Sequence, residues 1–139
     1  MSRLLTVFAI ALAGCSGSPK SSAISSADRN ICDTPIKNPE SVSIAALIGN
    51  PERFEGRPVR VIGFYHGSFE HSAIYLNQAD FQHQVAPNGL WVANTVPSNL
   101  NNKYIALEGI FTSKSRGHMS LWSGMICGVT RAASWANEP

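Results

Sequence analysis

"RPVRVIGFYH", Arg57 to His66, is the stretch on which the architecture turns. Val59, Val61 and Gly63 fall on one face of an alternating pattern. A period of two marks a half-buried strand. Just upstream the rhythm changes. In "SVSIAALIGNPERF", Ile44, Leu47 and Ile48 stand at i, i+3 and i+4, with Ser43 placed as an N-cap. Gly49, Asn50 and Pro51 then stop the helix after about two turns. A short helix therefore feeds the first long strand.

Downstream the period of two returns four times. "AIYLN" (Ala73 to Asn77) is short, and "GLWVAN" (Gly89 to Asn94) follows a Pro87-Asn88-Gly89 turn. "KYIALEGIFTS" (Lys103 to Ser113) sets Ile105, Leu107 and Phe111 on one face. "SLWSGMICGVT" (Ser120 to Thr130) groups Leu121, Met125, Cys127 and Val129. Between the second and third strands, "QADFQHQ" suits a single helical turn. Gly63, Gly109 and Gly124 fall inside strands, where glycine permits sharp bends. The expectation is a mainly β domain: a small five-stranded OB-like barrel with a short N-terminal helix. "NTVPSNLNN", Asn94 to Asn102, is too polar and short for the helix such barrels often carry there, which leaves an SH3-like barrel or open sandwich as the alternative. "LIGNPERFEGRPVRVIGFY", "KYIALEGIF" and "RGHMSLWSGMICGVTR" resemble segments of small exported bacterial OB-like domains. The resemblance covers roughly Ser41 to Arg131 and implies no assigned activity.

The chain begins "MSRLLTVFAIALAGCSGSPK". The apolar run from Leu4 to Ala13 is too short to cross a bilayer, which takes about 20 residues. It has the length of a signal-peptide core. "LAGC", Leu12 to Cys15, resembles the bacterial lipobox. That resemblance implies cleavage after Gly14 and lipid on the Cys15 thiol, with a plain secretory signal as the alternative. Ser16 after the cysteine then implies the outer membrane, facing the periplasm. "SGSPKSSAISSA", Ser16 to Ala27, has too little apolar surface to order and reads as a tether. The expected layout is a signal peptide over 1–14, a lipidated cysteine and tether over 15–27, and a folded domain over 28–139. The membrane, reached through the lipid anchor, is the first expected partner.

With Cys15 set aside, Cys32 and Cys127 form an even pair in a disulfide-permissive compartment, and a bond between them is expected over two separate thiols. The formal net charge of +2 leaves no basic stripe for nucleic acid.

"HGSFEHSAIYLNQADFQH", His66 to His83, holds three of the four histidines, with Glu70 and Asp80 among them. In a meander, the connections on either side of "AIYLN" lie at opposite ends. His83 and Asp80 are therefore expected far from His66 and His71. Instead "KSRGHM", Lys114 to Met119, is expected to bring Arg116 and His118 to His66, Glu70 and His71. Alternation sends Tyr75 and Trp91 outward on the same side, either exposed or covered by the N-terminal helix. Trp122 is expected in the core or at the barrel edge. The candidate binding face is therefore His66, Glu70, His71, Tyr75, Trp91, Arg116 and His118. Imidazoles with a carboxylate suit zinc or copper, but the spacing matches no ligand pattern. No cofactor or metal is assigned, and a metal site at the two loops stands as an alternative. No nucleophile motif, CxxC pair or phosphate loop is present, so no catalytic residue is assigned. The expected function is binding: a small ligand such as a sugar, or an envelope protein partner, as in immunity-type or envelope-assembly lipoproteins.

Overall fold

The computed structural model describes residues 30–136. The expected signal peptide, the lipidated Cys15 and the Ser-rich tether lie outside the described residues. The first strand, β1 (Glu40–Ser41), leads into two short helices, α1 (Ile44–Gly49) and α2 (Pro51–Phe54). α1 starts where a capping side chain permits: the Ser43 hydroxyl accepts the Ala46 N–H at 3.1 Å. It ends at Asn50, and Pro51 opens α2, where its missing N–H does no harm. Ile44, Leu47 and Phe54 are buried.

Then come β2 (Pro58–Ser68), β3 (His71–Tyr75), α3 (Gln78–Gln82), β4 (Gly89–Val92), β5 (Lys103–Thr112) and β6 (Met125–Ser134). The strands form one six-stranded mixed sheet in the order β1-β2-β3-β4-β6-β5, with a further β2–β5 pairing. β1–β2 and β4–β6 are parallel, and the other pairs are antiparallel. The mainly β class is as expected. β1 is an addition, a parallel strand against Val59 and Arg60 of β2. β2 is long enough to serve β5 from Pro58 to Tyr65 and β3 from Phe64 to Ser68. No helix among the described residues is long and apolar enough to cross a membrane.

The main core lies on one face of these strands. Val59, Val61 and Tyr65 of β2 meet Ile74, Leu90 and Val92. Ile105, Leu107 and Phe111 of β5 complete it, and Ile44 and Leu47 of α1 pack onto it. Full burial of each such side chain is worth about 1.5–3 kcal/mol. The faces read from alternation in β2 and β5 are therefore correct.

β6 corrects its expectation twice. It begins at Met125, not Ser120, because Met119 and Ser120 take left-handed backbone (φ 53° and 56°) within a 3-10 turn over His118–Ser120, and residues 121–124 are loop. Gly124 thus precedes the strand. Leu121, Met125, Cys127 and Val129 also do not share a face. Ile126 enters the main core, while Met125 and Cys127 pack outside it with Ile110, Ile31 and Ile36. A bulge between the Ile110↔Cys127 and Glu108↔Arg131 pairs sets residues 128–130 opposite Gly109 and brings Val129 to the core side. Three residues of β6 there face one of β5, and these two extra residues leave the strand in phase beyond them, so that Ile126 and Ala132 pack on the same side.

That irregularity holds Gly128 at φ 57°, beside the Cys32 carbonyl, where a Cβ would have no room. The close approach accompanies the Cys32–Cys127 disulfide, whose Cα atoms are 5.3 Å apart and which spans 95 residues. Closing a loop of that length stabilises by about 4–5 kcal/mol in the chain-entropy model.

Candidate functional site

The opposite face of β2, β3 and β4 carries a different set of side chains. The pairings Phe64↔Tyr75, His66↔Ala73 and Ala73↔Trp91 put these residues on one side. Tyr75 and Trp91 do point away from the main core, as alternation requires. Tyr75 is nevertheless only 1% exposed. Its cover is not the N-terminal helix but two later segments, α3 and the 113–124 loop. Phe81 of α3 stacks on His66 at 4.3 Å and on Phe64 at 5.6 Å between ring centroids. Trp122 of the loop lies 4.9 Å from Trp91 and 5.4 Å from His71.

Polar handles on these rings are joined. The Trp122 indole N–H donates to Tyr75 Oη at 3.2 Å. An indole can only donate, so the Tyr75 oxygen accepts and keeps its own hydrogen. That hydrogen is available to His71 Nε2, 2.9 Å away. In this arrangement the His71 proton sits on Nδ1. Burial, helped by the charge of His66, pushes the His71 pKa below its ordinary value. Burial raises the Tyr75 hydroxyl, against the opposing hydrogen bond from Trp122. Both rings are therefore held neutral near pH 7.

The β2–β3 hairpin turns through Phe69 and Glu70, between the paired Ser68 and His71. Glu70 takes left-handed backbone, φ 56°, and Phe69 is 90% exposed. The loop before β6 comes to this turn: His118 Nε2 lies 3.9 Å from Glu70 Oε2. Met119, next to His118, is 71% exposed. The expected meeting of Glu70 and His118 thus occurs, and His66 and His71 stand with their rings 4.9 Å apart.

Arg116 has another duty. Its Nε donates to the Trp122 carbonyl at 2.6 Å, while the Trp122 N–H returns to the Arg116 carbonyl at 3.3 Å. The arginine braces its own loop. Gly117, at φ 70°, lies so close to the Trp91 ring that a side chain would collide with it. Ser123 Oγ donates to the Pro87 carbonyl at 2.6 Å, and the Trp91 N–H donates to the Gly124 carbonyl at 2.9 Å, pinning the loop to β4. At its other root, the Glu55 carboxylate accepts the Thr112 hydroxyl (2.6 Å), the Ser113 N–H (2.8 Å) and the Ser113 hydroxyl (2.8 Å). Burial works to raise Glu55, but these bonds and the charge of Lys114 outweigh it and hold the carboxyl below its ordinary range.

Although His83 and Asp80 are the residues expected far from His66 and His71, α3 reaches both imidazoles through Phe81, which packs against each ring. The Asp80 carboxylate is used locally, accepting from Asn77 at 2.9 Å and Asn88 at 3.0 Å. His83 is exposed and caps α3 with its backbone. Among the described residues, no three His, Cys, Asp or Glu side chains converge to hold a metal.

Sequence reasoning missed Phe81, Asn101 and Asn102. Asn101 bonds Gly67 like a strand neighbour, accepting its N–H at 2.8 Å and donating to its carbonyl at 2.9 Å. Asn102 Oδ1 lies 2.7 Å from His66 Nδ1. Phe81 was signalled only as the lone large apolar residue of a polar helical turn.

Two hollows flank this layer. One, of 430 Å³, opens between the hairpin and the 93–101 segment and is lined by Tyr65, Ser72, Trp91 and Asn101 among others. The other, of 670 Å³, lies between α3 and the 113–124 loop over His71, Tyr75 and Trp122. Comparison with known proteins brings no relative: no family model matches the chain, and neither does any curated protein or solved structure.

Proposed function

We propose that this chain is a lipid-anchored envelope protein presenting a small OB-like barrel as a ligand- or partner-binding module. The convergence of the β2–β3 hairpin and the 113–124 loop beside an aromatic layer carries the binding part of the reading. Two remote segments meet there at Glu70 and His118 and hold Phe69 and Met119 in solvent, and a cleft lined by His71 and Trp122 opens between α3 and the loop. Exposed rings and thioethers at loop tips are more usual in recognition surfaces than elsewhere. The circuit of pairings from β2 through β3, β4, β6 and β5 back to β2, with β4 and β6 parallel, supports the OB-like reading. The anchor rests on the "LAGC" motif at Cys15.

Labelled palmitate fed to cells making the full chain tests the anchor. Wild type incorporates the label and fractionates with membranes, and Cys15→Ala does neither. A photo-reactive residue at position 69 tests the face. A cross-link from position 69 that is missing from exposed position 52 supports it, and equal yields from both sink it. A single cross-linked protein would favour the partner-binding reading, including the immunity-type and envelope-assembly forms.

A further inference from the structure

We infer that the cleft between α3 and the 113–124 loop binds an uncharged sugar ring, free or at the end of a glycan, an assignment that rests on the binding-module reading above. Its 670 Å³ lies within the range of roughly 300–1,000 Å³ usual for small-ligand sites. Phe81, Trp122 and Leu121 supply apolar wall, and Gln82 and Gln84 supply amides. Ala86 and the His71–Tyr75 pair complete the lining.

Three classes of ligand can be weighed against that lining. A charged ligand finds no counter-charge: among the described residues no Asp, Glu, Lys or Arg lines the cleft, and the His71 imidazole is held neutral. A wholly apolar ligand would strip water from two glutamine amides and an imidazole without replacing the lost hydrogen bonds. A sugar ring has a face of C–H groups and an edge of hydroxyls. The first suits the ring of Phe81, the part-exposed one, since Tyr75 and Trp122 are almost wholly buried behind it. The second suits side-chain amides, which both donate and accept.

The conformation of Gln84 is a separate observation in favour. Its φ is 57°, left-handed backbone that Gly or Asn adopts with less penalty. The turn caps the C-terminus of α3 with backbone bonds, Gln84 N–H to the Phe81 carbonyl at 3.0 Å and Val85 N–H to the Asp80 carbonyl at 2.8 Å. A glycine would make that turn at least as well. The exposed Gln84 side chain lines the cleft and, among the described residues, bonds to no other group, so its amide is free to meet a ligand. A glutamine there carries a backbone penalty that the cap itself does not require, and its side chain stands at the cleft.

The test is a fluorescence titration of the full chain, in a detergent without a sugar headgroup. The probes are N-acetylglucosamine, its short β-linked oligomers, and indole as an apolar control. A saturable change in tryptophan emission with the monosaccharide places an isolated ring in the cleft, and a response to oligomers alone assigns a glycan. Gln84→Gly relieves the backbone and should fold at least as well, while weakening the sugar about tenfold, the size of one lost hydrogen bond. Phe81→Ala should weaken it further. No saturable response to any sugar overturns the inference, as does a response to indole alone. Sugar binding untouched by Gln84→Gly also overturns it. None of these failures touches palmitate labelling or the cross-link from position 69, so the broader reading fails or stands separately.

Discussion

Along β2, Val59, Val61 and Tyr65 face a core completed by Ile105, Leu107 and Phe111, while Phe64 and His66 on the other side meet Phe81 and His71. The same strand thus borders two interiors of different character. The first is mainly aliphatic and is filled by neighbouring strands and by α1 and α2. The second is aromatic and carries hydrogen bonds, and its cover comes from a helical turn and a loop. Aliphatic packing is non-directional and tolerates exchange of similar volumes. The aromatic layer depends on particular polar atoms meeting, Trp122 with Tyr75 and Tyr75 with His71. The difference shows where stability is concentrated and where recognition can be placed.

The contrast can be broken most forcefully from the aliphatic side. Leu107→Ala should remove about 2–5 kcal/mol from the unfolding free energy, read by chemical denaturation of the oxidised protein. A loss below about 1 kcal/mol would mean that the two interiors share the load more evenly than their packing implies.

Tyr75→Phe keeps the ring and removes the oxygen. The Trp122 N–H and the His71 nitrogen then lose their partner inside the layer. The expected loss is about 1–3 kcal/mol, together with a change in tryptophan emission. A variant as stable as wild type, with unaltered emission, would show the hydroxyl to be incidental.

The smallest effect is one of pH. Folded His71 resists protonation, so its pKa lies below the ordinary 6.5. Well above that value the residue is neutral in both folded and unfolded chains. As pH falls through it, the unfolded chain takes up a proton that the folded one resists. Stability is therefore full above the unfolded value and is lost as pH falls through the folded one. Denaturation midpoints measured from about pH 7.5 down to about pH 5 should fall less steeply for His71→Phe than for wild type. Equal slopes would remove His71 from the account. Glu55 acts in a lower window, since its folded pKa lies below the ordinary 4.5 and its contribution is lost only as pH falls past that range.

How far each interior could be read in advance follows from the same contrast. Val59, Val61 and Gly63, or Ile105, Leu107 and Phe111, declare their face through spacing alone, because a pleated strand imposes a period of two. Ser43 declares the start of α1 in the same local way. β6 resisted because the shift at Gly128 breaks the period part-way along the strand, and the left-handed Met119 and Ser120 end an apparent strand that composition favours. At the candidate site, Glu70 and His118 could be paired by placing two loops on one side. The cover over Tyr75 could not, and Arg116, expected to join His66, Glu70 and His71, turns back to brace its loop.

The sequence by itself determined a mainly β chain with a capped helix ahead of its long strand, and it set the inward faces of β2 and β5. It also marked Cys32 and Cys127 as partners. These follow from short-range periodicity, capping chemistry and cysteine count. Only the tertiary structure decided that α3 and the 113–124 loop close over the outer face. Tyr75 and Trp122 are 47 residues apart and meet through one hydrogen bond. The turns that bring them together use left-handed backbone at Gln84, Met119 and Ser120, residue types that do not announce it. A contact of that kind leaves no period in the chain, because it is set by where the folded strands place each loop root and by the polar atoms that remain to be satisfied there.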